Sequence, residues 1–396
     1  MELPVEILSR EIIKPATPTP PHLKCHKLSL MDQLNPLKYV ISITCYAPTP
    51  TEDHSTITVA RLKQSLSKAL SLFYPLAGRL APDESSIDCN DQGILFVEAW
   101  MLKAEELVLV ATQVTIFTCG GVMIGKKGIH KIMDGTSGGS FVKCWSDFAR
   151  GGDQVDNNNK PDFTTAAILF PPRPWAALVP PRAPLPFSKL DGNKLPTGCV
   201  VKVFRFSPQC VLTLQANARS SDRLLKPTRL EAVFGFIWKH AMVAAAKSKN
   251  APSIEYKGQD EDNEAKISSV PELSDLISEI SRALASAKDV EFLNKLKGEK
   301  GSEKIRENKQ KLADYSKDDA NINVYRCTSW SKVGLDYPDF GFLGKSVWSG
   351  HSGVLKNQIL FIMNSNQGIE VSLTLDEKEM ECLQSNSEFL QFACPT

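Results

Sequence analysis

Prolines crowd one stretch of the chain, between Pro171 and Pro196, and this stretch most limits how the chain can fold. Proline fixes its own φ angle and has no backbone N–H, so neither a long helix nor a central strand runs through such a segment. Apolar periodicity resumes near Cys199, and a chain of 396 residues is longer than one hydrophobic core usually serves. The sequence therefore predicts an N-terminal domain at residues 1–185, a crossover loop at 186–199 and a C-terminal domain at 200–396.

Composition and charge exclude several classes of protein. Lys and Arg number 46 against 45 Asp and Glu, and the net charge of +1 offers no broad electrostatic footprint for nucleic acid or an anionic membrane. No apolar run approaches the ~20 residues that span a bilayer, and the N-terminus lacks the pattern of a signal peptide. The ten cysteines are scattered without zinc-ligand spacing, which indicates reduced thiols and no metal site. We expect a cytoplasmic protein.

Apolar periodicity predicts strands and helices in both halves, and thus an α/β (α+β) protein. The predicted strands are 39–46, 94–99, 108–118, 200–206, 359–363 and 369–375. The predicted helices are 59–72, a helix after Gly135, 227–247, 273–287, 290–297 and 378–383. Gly120, Gly121 and Gly125 interrupt the region before His130. The charge run from Glu299 to Lys317 is typical of a solvated helix or loop.

Three short motifs overlap after the third predicted strand, and the first resembles a phosphate-binding loop. It is the run Gly120–Lys126, with its glycines and final lysine. Such a loop needs Ser or Thr after the lysine to hold Mg²⁺. Residue 127 is Lys, and the chain runs on to His130 rather than into a helix. The pattern therefore favours nucleotide binding only weakly.

The second motif, Gly135-Thr136-Ser137-Gly138-Gly139, matches the nucleophile elbow of serine hydrolases. Ser137 would be the nucleophile, with His240 or His351 and an Asp completing a triad. The elbow needs a strand that runs directly into the serine, and the run Lys131–Asp134 is a poor strand. The same small residues also suit a helix that begins close to another backbone.

The third motif is His130, followed four places later by Asp134 and then Gly135. By itself it is weak evidence, because acidic residues are common in this chain. The motif lies between a strand and an amphipathic helix, where catalytic groups are often displayed. A neutral histidine there can take the proton of an acceptor hydroxyl, so that the oxygen attacks a thioester without any serine or cysteine nucleophile. Asp134 would hold the loop that carries His130 in place, and Gly135 would relieve steric crowding in that loop.

Five stretches in order along the chain carry a family resemblance. They are Pro18–Leu34, Leu62–Leu80 with its Phe73-Tyr74-Pro75-Leu76-Ala77-Gly78-Arg79 run, His130–Gly135, Thr228–Trp238, and Thr328–Gly341 ending in Asp339-Phe340-Gly341. Together they resemble the BAHD acyltransferases, and within them the vinorine-synthase-like, alkaloid-acetylating branch. Each stretch is only suggestive alone, and their order makes them specific together.

The resemblance implies a two-domain fold like that of chloramphenicol acetyltransferase, with mixed sheets flanked by helices and a channel between the domains. It implies a monomer that transfers an acyl group, most simply from acetyl-CoA, to the hydroxyl of a plant alkaloid or terpenoid. Acyl-CoA would be a cosubstrate, with no permanently bound cofactor. His130 would be the general base in the channel.

The resemblance also implies roles for other residues. Asp134 and Gly135 would be structural beside the catalytic histidine. Asp339, Phe340 and Gly341 would be structural too, in the C-terminal domain and on the CoA side. Ser329 and Trp330 are candidates for lining the CoA pocket. No metal ligand is implied.

The chain departs from the family pattern at three places. The family's tryptophan after the Asp-Phe-Gly run is Phe342, with Leu343 extra. The segment between Ala99 and Val108 is short, and residues 251–270 lack a strand and turn usual in the second domain. These departures motivate an alternative hypothesis, a family member that binds ligand without turnover.

Overall fold

The computed structural model describes most of the chain, in two compact units. The described residues are 7–35, 37–48, 55–99, 108–117, 119–152, 160–176, 195–218, 227–249, 271–317, 323–330, 333, 338–344, 346–352, 355–365 and 368–396. The first unit comprises Met1–Lys194 with Lys332–Gly353, and the second comprises Leu195–Ser331 with Val354–Thr396. Most of the predicted crossover, the short segment after Ala99 and the departure at 251–270 lie outside the described residues.

Each of the six predicted strands is present, and the described residues form eight further strands that the sequence pattern did not predict. The strands are β1 Ile7–Ile13, β2 Cys25–Lys27, β3 Tyr39–Tyr46, β4 Arg79–Leu80, β5 Ser86–Asp88, β6 Ile94–Ala99, β7 Val110–Ile116, β8 Val122–Ile129, β9 Cys199–Phe206, β10 Arg326–Ser329, β11 Ser346–Ser352, β12 Gln358–Ser365, β13 Gly368–Asp376 and β14 Cys394–Pro395. One of the strands that the prediction lacks is β8, whose two glycines and two lysines are unlike a typical strand.

Each predicted helix is present, the charge run from Glu299 to Lys317 is also helical, and the described residues form four further helices that were not predicted. The helices are α1 Leu30–Leu34, α2 Ser55–Leu72, α3 Gly135–Ala149, α4 Thr165–Leu169, α5 Pro208–Asn217, α6 Arg229–Ser248, α7 Leu273–Lys288, α8 Val290–Lys295, α9 Gly298–Lys317, α10 Glu377–Gln384 and α11 Ser387–Leu390. Short 3₁₀ turns occupy Pro21–Leu23, Tyr74–Ala77 and Pro174–Ala176. Within the described part of the chain, no helix has both the length and the apolar character needed to cross a membrane.

The first unit is built on a mixed sheet with the strand order β1-β6-β7-β8-β3-β11. The β6–β7 pair is parallel, and β8 pairs antiparallel with both β7 and β3. A small sheet of β2, β5 and β4 accompanies it. α2 and α3 join the same hydrophobic core as the large sheet. The buried indole of Trp145 on α3 donates to Leu62 O on α2 at 3.0 Å, which ties the two helices together.

One strand of this sheet comes from late in the chain. β11 pairs antiparallel with β3, with Ser346 opposite Tyr46 and Ser352 opposite Ile41. This pairing draws the segment Lys332–Gly353 into the first unit. The Asp339-Phe340-Gly341 motif therefore lies in the first unit, whereas the family resemblance implied the C-terminal domain.

The second unit has its own sheet, in the order β10-β12-β13-β9-β14. α5, α6, α7, α10 and α11 contribute to its separate core. Stacked and edge-to-face rings fill part of that core, with Phe236 stacked on Phe389 at a centroid distance of 5.7 Å. His240 is buried in this core, with its ring centroid 4.3 Å from that of Phe236 and 5.6 Å from that of Phe389. Each unit thus combines a mixed sheet with helices, as the α/β prediction requires.

Candidate active site

His130 lies immediately after β8, at the first residue of a tight turn. β8 is held on both sides by its neighbours, with Lys126 opposite Ser42 of β3 and opposite Thr112 of β7. The His130 backbone N–H donates to Lys38 O at 2.8 Å. Ile132 N donates to Ile129 O at 3.1 Å and closes the turn. The sheet therefore fixes the backbone from which the imidazole projects.

The two nitrogens of the His130 ring have different surroundings. The side chain is partly buried, and Nδ1 is enclosed without a hydrogen-bond partner among the described residues. The enclosed Nδ1 is not placed to take a proton from a substrate, so the role of a base would fall to Nε2. The ring is thus suited to act through one nitrogen.

Asp134 and Ser137 form a reciprocal cap at the start of α3. The Ser137 backbone N–H donates to Asp134 Oδ1 at 2.8 Å, and the Asp134 backbone N–H donates to Ser137 Oγ at 2.9 Å. The Ser137 hydroxyl also donates to Asp134 Oδ1 at 2.6 Å. Such capping boxes satisfy amide groups that have no partner inside the helix. Asp134 therefore holds the turn to the helix.

This cap argues against the serine-hydrolase interpretation. The Ser137 hydroxyl is bound to a carboxylate on its own turn rather than to a histidine. β8 ends at Ile129, so no strand runs directly into the serine. The geometry of a nucleophile elbow is absent from residues 130–139, all of which the structure describes.

The phosphate-loop interpretation is wrong, because its residues form a strand. Residues 122–126 are part of β8, and their backbone groups pair with β3 and β7. Backbone amides used in a sheet cannot cradle a phosphate. Lys126 is buried in the unit rather than presented to a ligand.

Lys126 is a buried lysine with few polar neighbours to stabilise its positive charge. Its Nζ donates to Thr44 Oγ1 at 3.4 Å, and no described carboxylate forms an ion pair with it. Burial lowers the pKa of Lys126 to about 8, because the charged form loses its hydration. Thr112, directly opposite on β7, has a buried Oγ1 without a hydrogen-bond partner among the described residues. This part of the sheet is polar inside.

Lys131, the residue after His130, has quite different surroundings. It is 4% exposed, and its Nζ donates to Gln33 O at 2.8 Å. Glu84 Oε2 lies 3.2 Å from the same Nζ. The sequence reasoning did not identify Glu84 or Gln33, because nothing in a sequence pattern shows which distant carboxylate a lysine will meet.

Two glycines around His130 allow close packing of the turn. A Cβ at Gly128 would lie 2.3 Å from the terminal methyl of Met133, whose side chain folds back over β8. A Cβ at Gly135 would lie 3.1 Å from Val333 Cγ1, a contact tighter than side chains usually make. The turn thus packs closely against its own strand and against the late segment.

The late motif is docked on the first unit by several contacts. The Tyr46 hydroxyl donates to Pro338 O at 2.9 Å. Phe340 is buried, edge-to-face against Tyr46 at 5.9 Å and Trp145 at 5.0 Å between ring centroids. Asp339 accepts a hydrogen bond from Arg150 through its backbone oxygen, and from Gly341 N at 2.8 Å through Oδ1. These contacts give the motif a place in the core of this unit.

Ser329 and Trp330 lie in the second unit. Ser329 is the last residue of β10, and the Trp330 backbone N–H donates to Phe361 O at 2.9 Å. Both side chains are partly exposed. Their assignment to a CoA pocket stays a prediction.

A metal site finds no support in the described residues, where no group of three or more His, Cys, Asp and Glu side chains could hold an ion.

The model of the transferase family matches residues 3–104, 101–256 and 263–390. The chain therefore belongs to this family, as one of the BAHD acyltransferases that the five sequence stretches resemble. The predicted family is thus confirmed.

Individual relatives extend along the whole chain. A limonoid 21-O-acetyltransferase of Melia azedarach is 30% identical over 441 aligned positions, which cover 99% of this chain and 98% of that protein. Vinorine synthase of Rauvolfia serpentina is 29% identical, with 96% of each chain covered. The first alignment has more positions than this chain has residues, so that relative carries segments that this chain lacks.

Solved structures confirm the predicted fold. The crystal structure of vinorine synthase superposes with a TM-score of 0.74 at 26% identity and covers 98% of both chains. TRI101 of F. sporotrichioides, complexed with coenzyme A and T-2, matches with a TM-score of 0.64 at 15% identity. That structure covers 94% of this chain and 99% of its own, and at this identity it supports the fold alone.

Proposed function

We propose that this chain transfers an acyl group from acyl-CoA, most simply acetyl-CoA, to the hydroxyl of a plant alkaloid or terpenoid, with His130 as the general base. Membership of the acyltransferase family and the limonoid acetyltransferase relative support the reaction and the acceptor class. The observation that carries the role of His130 is its placement at the end of β8, with Nδ1 enclosed and the backbone held by Lys38.

In the proposed reaction, Nε2 of His130 takes the proton of the acceptor hydroxyl as its oxygen attacks the thioester carbon. A tetrahedral intermediate forms and carries the developing negative charge on the former carbonyl oxygen. Its collapse breaks the carbon–sulfur bond, and the imidazolium returns the proton to the departing thiolate. No acyl-enzyme forms, so neither Ser137 nor a cysteine is required.

The remaining site residues have supporting roles in this proposal. Asp134 orients the turn through its cap on α3, and Gly135 lets the turn pack against Val333. Asp339, Phe340 and Gly341 are structural: Phe340 packs on Tyr46 of the sheet and Trp145 of α3, Asp339 O accepts from Arg150, and Gly341 N donates to Asp339. Ser329 and Trp330 would line the side that receives CoA.

The test is release of free CoA thiol from acetyl-CoA over a panel of alkaloid and terpenoid alcohols. Thiol release should require an acceptor, and His130→Ala should lower it by at least ~100-fold while circular dichroism stays unchanged. His22→Ala, which changes an exposed histidine, is the matched control and should keep full activity. A fully active His130→Ala variant would show that His130 is not the general base.

The same assay distinguishes an active acyltransferase from the alternative, a family member that binds ligand without turnover. A folded preparation that releases no thiol with any donor and acceptor, although it binds acyl-CoA in calorimetry, would favour that alternative. Turnover with one acceptor eliminates it.

A further inference from the structure

The turn that carries His130 is tied to two distant segments through the residue that follows it. The ammonium of Lys131 meets Gln33 O of α1 at 2.8 Å and Glu84 Oε2 at 3.2 Å. Both side chains of the ion pair are about nine-tenths buried or more, at 5% exposure for Lys131 and 10% for Glu84. Water therefore screens this pair poorly.

Glu84 is held in place by a tight turn between β4 and β5. Its φ angle is +56°, in the left-handed region, and its N–H donates to Ala81 O at 2.8 Å. Hydrogen bonds from the Ser85 amide and hydroxyl clamp the turn and lower the pKa of the Asp83 carboxyl. Ser85 O in turn accepts from Leu28 N at 3.0 Å. Glu84 is thus a fixed anchor rather than a mobile surface carboxylate.

The other anchor, Gln33, is fixed equally well. α1 begins with a capping box between Ser29 and Asp32. The side-chain oxygen of Gln33 accepts from Arg173 N at 2.9 Å, while its backbone oxygen receives Lys131. The ammonium therefore connects the histidine turn to a helix and a turn that are each rigid locally.

A buried ion pair contributes little net stability, because desolvation offsets most of its attraction. Its clearest physical effect is to fix geometry. His130 shares a peptide bond with Lys131, and its own N–H is already held by Lys38 O. With both sides of the residue held, the backbone angles that aim the imidazole have little freedom. A displacement of about 1 Å at a catalytic group can lower a rate by about 100-fold.

We propose that Glu84 and Lys131 are positioning residues that aim the His130 imidazole, an inference that rests on the proposed function. Neither side chain needs to touch substrate. They act through the main chain at 130–131, and their loss lowers kcat rather than the binding of acyl-CoA.

The test separates positioning from stability with a paired replacement. Lys131→Met and Glu84→Leu each leave one buried charge unpaired, and both variants should unfold at lower denaturant concentration. The double variant replaces the pair by apolar side chains and should recover most of that stability. If the pair aims His130, kcat of the double variant should stay about 10- to 100-fold low, with KM for acyl-CoA changed less than about twofold.

Two controls keep the outcome clear. Lys143→Met removes an exposed lysine of α3, which pairs with Asp147 at 3.0 Å, and should leave kcat and KM unchanged. The His130→Ala variant is assayed in parallel. A loss of activity in that variant shows that the reaction depends on the proposed base.

A double variant with wild-type kcat, beside an inactive His130→Ala, would overturn the positioning role and leave the proposed function intact. An active His130→Ala would overturn the proposed function itself. If the double variant does not fold, kcat of the two single variants decides. It is measured at a temperature where circular dichroism shows them folded, and wild-type values there would also overturn the proposal.

Discussion

Lys126 and Lys131 are both buried near the candidate base, yet their surroundings differ completely. Lys131 lies between a carboxylate and a backbone oxygen, at 3.2 Å and 2.8 Å. Lys126, on β8, has one hydroxyl at 3.4 Å, and burial lowers its pKa to about 8. Lys131 has a described carboxylate beside its ammonium, whereas Lys126 has none and burial disfavours its charged form. Burial alone therefore does not tell whether a charge supports the fold, since the neighbours decide it.

The largest expected effect is at Lys131. Lys131→Met should lower the free energy of unfolding by about 3–5 kcal/mol, because Glu84 is left buried without its partner. Denaturant unfolding measures the change. Lys143→Met on the surface of α3 should change it by no more than about 1 kcal/mol. A loss at Lys131 as small as that of the surface control would show that Glu84 does not depend on Lys131 for its stability in the core.

Lys126→Met should have the opposite sign. The pKa of Lys126 falls from 10.5 to about 8 on folding, so the wild-type folded state bears the full penalty below pH 8 and loses it as pH rises through 10.5. A drop of this size corresponds to about 3 kcal/mol. The variant should therefore be more stable than wild type by about that amount at pH 7.

The pH profile gives this prediction its control. The advantage of Lys126→Met should shrink between pH 8 and pH 10.5, where the wild-type lysine is neutral in both states. Unfolding curves of both proteins at pH 7 and near pH 10.5 measure this difference. A destabilised variant at pH 7, or an advantage independent of pH, would show that Lys126 has a partner that stabilises its charge.

Some elements of the fold could be predicted from the sequence, and the strand that carries Lys126 could not. The apolar spacing of Leu62, Leu66 and Leu70 predicts α2, and the β-branched and aromatic run 39–46 predicts β3. β8 was missed because Gly125, Lys126, Lys127 and Gly128 lack strand propensity. Pairing with β3 and β7 on both sides overrides that local preference.

In the candidate site, too, local features could be predicted from the sequence and contacts between distant segments could not. Local spacing predicts the helix that follows His130 but not β8, the strand that ends directly before it, and the Asp134–Ser137 cap is a local contact within one turn. Contacts between distant segments do not follow. The pairing of β11 with β3 carries Asp339 and Phe340 into the first unit, and the meeting of Glu84 with Lys131 depends on how the β4–β5 turn folds. A single sequence contains no periodicity that encodes either contact.

The smallest expected effect is that of replacing Thr44, the hydroxyl partner of Lys126. Thr44→Val removes the Lys126 partner at 3.4 Å while keeping the shape of the side chain, and should cost about 1 kcal/mol at pH 7. In the Lys126→Met background the same substitution should cost much less, because the ammonium that donates to Thr44 is gone. The double-mutant cycle measures this coupling from four denaturant curves. A coupling near zero would mean that Thr44 gives the lysine no support, and Lys126 would then be bare of any partner among the described residues.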